Sequence, residues 1–113
     1  MNPRRVHDLM RQGFPDRPVT ASDWVVASDG EGLRREVMQR LVREHIASDT
    51  LLVEANRKVG GLFLVSQALD FVASNVGRGR ILMTDRDFTG FVVVESNGVA
   101  SGWAKRTERP ESA

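Results

Sequence analysis

Gly60-Gly61-Leu62-Phe63-Leu64-Val65-Ser66-Gln67-Ala68-Leu69-Asp70-Phe71-Val72-Ala73 is the longest apolar run in the chain, and Asn75 and Gly77 close it. On helical spacing, Leu62, Val65, Leu69, Val72 and Val76 share one face, which Phe63, Ala68 and Phe71 widen. Only Ser66, Gln67 and Asp70 interrupt it. The run therefore predicts a helix over 61–75 with most of its circumference covered by other elements. At about 15 residues it is too short to cross a bilayer and reads as a central core helix.

C-terminal to this run the periodicity changes. Arg80–Thr84, Thr89–Glu95 and Val99–Ala104 read as three strands. Asp85-Arg86-Asp87 supplies one turn, and Ser96-Asn97-Gly98 supplies the other with the Asn-Gly pair that favours tight hairpins. An antiparallel meander results, with one face expected to pack on the central helix. Lys105–Ala113 is charged, contains Pro110 and reads as a flexible polar tail.

N-terminal to the run, Arg4–Gln12 spaces Val6, Leu9 and Met10 as a short helix that Gly13 ends. Phe14–Pro18 is a loop, because Pro15 and Pro18 can continue neither a helix nor a central strand. In Thr20–Ala27 a cap-like Thr20 and Asp23 compete with β-prone Trp24-Val25-Val26, and a short strand or an irregular approach is expected. Ser28 and Glu31 fit a capping box for a helix running to Ala47, striped by Leu33, Val37, Met38, Leu41, Val42, His45 and Ile46. Its other face pairs Glu31 with Arg35 and sets Glu36, Arg40 and Glu44 at four-residue steps, a solvated face. Leu51–Val59 reads either as a helix sharing Leu51, Leu52, Ala55 and Val59 on one side, or as a strand over Leu51–Glu54 followed by a turn; the helix is preferred. The fold class is thus α+β. One domain (1–104) has N-terminal helices and a central apolar helix packed on a C-terminal antiparallel three-stranded meander.

Composition narrows the function. A chain of 113 residues with 41% hydrophobic and 27% charged residues is an ordinary globular domain. Its net charge of +1 gives no bulk pull toward nucleic acid or acidic lipid. The absence of cysteine removes disulfides, thiolate catalysis and Cys-based zinc sites. No secretory signal or transmembrane segment is visible, so the default is a cytoplasmic protein of a bacterium or a mobile element. Of the 16 basic residues only Lys58 and Lys105 are lysine, a bias that suits bidentate recognition but that GC-rich coding explains more readily.

Candidate chemistries are thin. His7 and His45 lie on separate elements without ligand spacing, so no metal or cofactor site is expected. Asp85 and Asp87 flank a hairpin, where aspartate bonds its own backbone. Ser66 and Ser101 have no nucleophile-elbow setting, and Gly60-Gly61 lacks the rest of a phosphate loop. No catalytic residues are assigned. The expected function is non-enzymatic: a protein-interaction module that covers a partner protein's surface as an inhibitor or regulator, with Trp24, Arg35, Arg40 and Trp103 as anchors. A homodimer is one way to bury the apolar excess of the central helix. The alternative is a winged-helix-like nucleic-acid binder, with three helices, a hairpin wing, and Arg57, Lys58, Arg80 and Arg86 on phosphates. Against it, the third helix carries no Arg or Lys between Gly60 and Gly77 and one negative charge, Asp70.

Overall fold

The computed structural model describes residues 2–55 and 59–104. Asn2 opens the first helix: its Oδ1 accepts the Arg5 N–H at 2.8 Å, and Pro3 takes a first-turn position where a missing N–H costs nothing. Helix α1 (Pro3–Gly13) buries Val6 and Met10, four residues apart on one face. The irregular Phe14–Pro18 segment follows, as the two prolines demand.

The expected capping box at Ser28 does not form. Short strands β1 (Val25–Val26), β2 (Ser28–Asp29) and β3 (Gly32–Leu33) come first, with β2 and β3 paired as a small hairpin. Gly32 sits at φ +119°, outside any helix, and Asp29 Oδ1 accepts the Glu31 N–H at 2.9 Å while Oδ2 takes two bonds from Arg34. Two glycines in three residues make a helical turn costly here. Helix α2 therefore begins at Arg35 and ends at His45, burying Met38, Leu41 and Val42 on its inner stripe.

The largest correction falls on 50–64. Thr50–Ala55 is strand β4, not a helix, and Val59–Leu64 is strand β5, so helix α3 spans Val65–Asn75 rather than 61–75. β4 and β5 pair in register, Leu51 opposite Phe63 and Val53 opposite Gly61. Gly60 is needed for this close approach, because a Cβ there would stand 2.6 Å from the Val53 carbonyl oxygen. The apolar run is thus divided, its first part an outer strand and its second a helix with Ala68, Leu69 and Val72 buried.

The meander is present as β6 (Ile81–Thr84), β7 (Gly90–Val94) and β8 (Val99–Ala104). It joins a six-stranded antiparallel sheet in the order β1-β8-β7-β6-β4-β5. On one face α2 covers β7 and β8 while α3 covers β4 and β5. Leu51, Val53, Ile81, Met83, Val92 and Val94 meet Met38, Leu41, Leu69 and Val72 in this main core. At the end of α2, His45 packs its ring against Gly102, a position where a side chain would collide with it. Turns sit where the sequence requires them: Gly98 adopts φ +94°, and Asp85 Oδ1 accepts the Thr89 and Gly90 N–H groups at 2.7 and 3.1 Å.

The opposite face is covered differently. α1 lies over β4 and β5 and packs Val6 and Met10 on Leu52, while Phe14 and Phe88 cap Phe91, Val93 and Trp103. Helix and loop together do not close this face. The opening they leave is the candidate site.

Candidate functional site

Strand alternation sends Glu54, Leu82, Val93 and Trp103 to the α1 side of the sheet, where they floor a cleft of about 420 Å³. Met10 and Arg11 of α1 form one wall, Phe14–Arg17 another, and Trp24, Arg80 and Glu95 complete the rim. Beyond the Pro15-Asp16 strap a second, more apolar hollow of about 660 Å³ opens on Phe88, Phe91 and Trp103.

Trp103, expected as an exposed anchor, is buried at 6% exposure. Phe14 meets it edge-on with ring centroids 5.9 Å apart, and Phe91 stacks on it at 5.6 Å. The order of β8 explains this: Trp103 faces Phe91 across the β7–β8 ladder, so both indole and phenyl point to the α1 side. Trp24 is the opposite case, with 42% of its surface exposed. The Arg17 guanidinium lies 4.6 Å from the centroid of its ring. Arg17 is itself fixed, its Nε donating to Ser101 Oγ at 2.9 Å and its Nη2 to the Ser22 carbonyl at 2.8 Å. Ser101 Oγ donates in turn to the same carbonyl at 2.7 Å. An exposed indole is thereby held on a hydrogen-bonded shelf at the cleft's edge.

The charges around the cleft are mixed. Arg80 grips Glu95 through both Nε and Nη2, at 3.2 and 3.0 Å. His7 Nδ1 donates to Glu54 Oε1 at 2.7 Å and so satisfies a carboxylate that is nearly buried in the floor. Among the described residues no hydroxyl hydrogen-bonds to His7, and Ser101 Oγ is committed to Arg17 and Ser22. Asp85 has a structural task. Burial pushes its pKa up, but bonds from the Thr89 hydroxyl and the Thr89 and Gly90 N–H groups outweigh this and leave it below the usual aspartate range. Among the described residues no group of three His, Asp or Glu side chains could hold a metal ion.

The remaining residues singled out by the sequence do not join this site. Arg35 and Arg40 lie exposed on α2, across the sheet from the cleft, and Arg35 is 2.8 Å from Asp70. Arg80 and Arg86 lie beyond opposite ends of β6, Arg86 in the turn that follows it, and do not form one patch. Arg57 and Lys58 lie outside the described residues. The element order of a winged helix is not there, because β4 and β5 stand where its second helix would be. Arg11, Arg17, Phe14, Glu54 and Glu95 line the cleft and were missed as a group by sequence reasoning; the one signal was the density of aromatic and charged residues between Arg11 and Trp24. No helix among the described residues is long and apolar enough to cross a membrane. Comparison with protein-family models, with curated proteins and with solved structures finds no match for this chain.

Proposed function

We propose that this protein is a non-enzymatic interaction module, a cytoplasmic inhibitor or regulator that docks a partner protein on the α1-side cleft. The observation that carries the reading is Trp24, an exposed indole lying under the Arg17 guanidinium, itself held by Ser101 and the Ser22 carbonyl, at the edge of a cleft of mixed polarity. An anchor fixed before binding loses little side-chain entropy on association. Tryptophan and arginine are also the residues that dominate interface energetics. Leu82, Val93 and Trp103 give part of the floor, beside Glu54, a surface that suits an apolar side chain of the partner, and the Arg11, Asp16, Arg80 and Glu95 rim suits flanking charges of both signs.

The test begins with a photo-crosslinking amino acid at position 16 on the cleft rim, which leaves Trp24 in place, used to capture the partner in the native host, followed by titration of that partner. Trp24→Ala should weaken binding about 30-fold, the equivalent of a 2 kcal/mol anchor. Arg40→Glu, on the far side of the sheet, should leave it unchanged. Equal affinity of wild type and Trp24→Ala removes the cleft from consideration, and loss in Arg35→Glu or Arg40→Glu transfers the site to α2. Micromolar binding to mixed-sequence duplex DNA that weakens steeply with salt would overturn the protein-partner reading altogether.

A further inference from the structure

The sheet has two unequal margins. β1 is two residues long, a short edge of the kind that discourages further pairing. β5 is six residues long and, among the described residues, has no strand on its outer side. It contains no charge, no proline and no bulge, the usual protections of an edge. Leu64 is 52% exposed and Val59 39%, and Leu62, Phe63 and the neighbouring Phe71 are half-buried. The direction of its outward backbone groups follows from two bonds. The Val65 N–H donates to the Asp49 carbonyl at 3.1 Å across the ladder, so the Leu64 N–H turns outward, where Gln67 Oε1 caps it at 3.1 Å and would give way to a paired strand. By antiparallel alternation Leu62 and Gly60 also turn their N–H and C=O groups outward.

We propose that β5 is a self-pairing edge: a second copy of this chain adds its own β5 antiparallel, about a two-fold axis through Leu62. The strand is complementary to its own reverse. Pairing Leu62 with Leu62 of the second copy sets Gly60 opposite Leu64 and Gly61 opposite Phe63, so each glycine faces a large side chain. A neutral strand also meets its own copy without like-charge repulsion. The two-fold arrangement is isologous and closes, which yields a dimer with a continuous sheet rather than a fibre. The apolar residues of β5 would thereby be covered, while those of α3 are already buried in the main core.

Sedimentation equilibrium of the full chain up to about 100 μM tests this, a range in which a dimer of micromolar Kd is mostly assembled. Leu64→Lys places a charge at each end of the pairing while changing a side chain already half in solvent; it should raise the dimer Kd at least tenfold and leave the melting temperature within a few degrees. Because the chain has no cysteine, Leu62→Cys gives an unambiguous second readout. Facing residues of a hydrogen-bonded pair are about 5.5 Å apart at Cα, within disulfide reach, so this variant should form a covalent dimer on mild oxidation. Leu64→Cys, facing Gly60, should not. A wild-type monomer throughout the concentration range overturns the proposal, as does a dimer that Leu64→Lys leaves intact. A β5 edge that pairs only with a strand of another protein overturns it too.

Discussion

Replacing Trp103 with alanine removes the side chain at the centre of the α1-face packing. The indole is 6% exposed, stacked on Phe91 at 5.6 Å and met edge-on by Phe14 at 5.9 Å. An indole buries about 200 Å² on folding, which at about 25 cal/mol per Å² is an upper figure near 5 kcal/mol. Truncations of buried aromatic residues cost about 3–5 kcal/mol, since the walls relax only partly into the cavity. The expected loss is therefore about 4 kcal/mol, or about 20 °C in melting temperature for a domain of this size. Trp24→Ala provides the internal comparison. It forfeits one cation–π contact and part of a surface already 42% exposed, and leaves no enclosed void, so about 1 kcal/mol is expected. Urea denaturation followed by far-UV circular dichroism measures both without relying on tryptophan emission. A Trp103→Ala loss below about 2 kcal/mol, or equal losses for the two variants, would refute the assignment of one tryptophan to the interior and the other to the rim.

Asp85→Asn should cost about 1–3 kcal/mol at neutral pH, because an amide cannot accept all the bonds that Thr89 and Gly90 donate. Since the folded-state pKa of Asp85 is depressed, its contribution is fully present above the unfolded aspartate value of about 3.9 and fades as pH falls through the folded value. The gap between wild type and Asp85→Asn should therefore narrow below about pH 4 in pH-dependent melts. Gly90→Ala should destabilise by about 3 kcal/mol or more, because its Cβ would fall on the His45 carbonyl oxygen. Gly30→Ala, with nothing within 4 Å of the added atom, should change stability by under about 1 kcal/mol; chemical denaturation of the pair checks the packing of α2 on the sheet.

The sequence was most legible where a segment has one wet side or a turn with strict backbone demands. α1 shows its buried Val6 and Met10 at helical spacing, and the β7–β8 hairpin shows Asn97-Gly98, whose glycine does take the positive φ. β4 was hard to read because both its faces are buried. Leu51, Val53 and Ala55 enter one core while Leu52 enters the other, which erases the alternation that marks a half-exposed strand. Gly60-Gly61 showed in the sequence only as the start of the apolar run and an incomplete phosphate loop, but Gly60 serves the close approach of β5 to β4. At Ser28 a correct local cap pattern lost to Gly32 and to the Asp29–Arg34 pair. The cleft was illegible for a different reason. Its shelf joins Arg17 and Ser22 to Ser101, more than 75 residues away, and its floor draws one residue each from several strands. Only the finished sheet order brings them together.

That same order keeps the cleft and the proposed pairing edge apart. The cleft is lined by residues of α1, β4, β6, β7 and β8 with the Phe14–Trp24 segment, and none comes from β5. A dimer closed through β5 leaves both clefts open and related by the two-fold axis, so it presents two copies of the Trp24 anchor. On a partner that is itself dimeric, such an arrangement gains avidity without any new contact, by up to about 100-fold or more when the spacing matches. The two surfaces should then separate by mutation. Leu64→Lys should retain the affinity of a single cleft for a monomeric partner while losing avidity for a dimeric one, and Trp24→Ala should lose both while remaining a dimer. Surface plasmon resonance with partner at low and high density distinguishes these cases. Loss of single-site affinity in Leu64→Lys would mean that β5 and the cleft are one surface, contrary to the strand order.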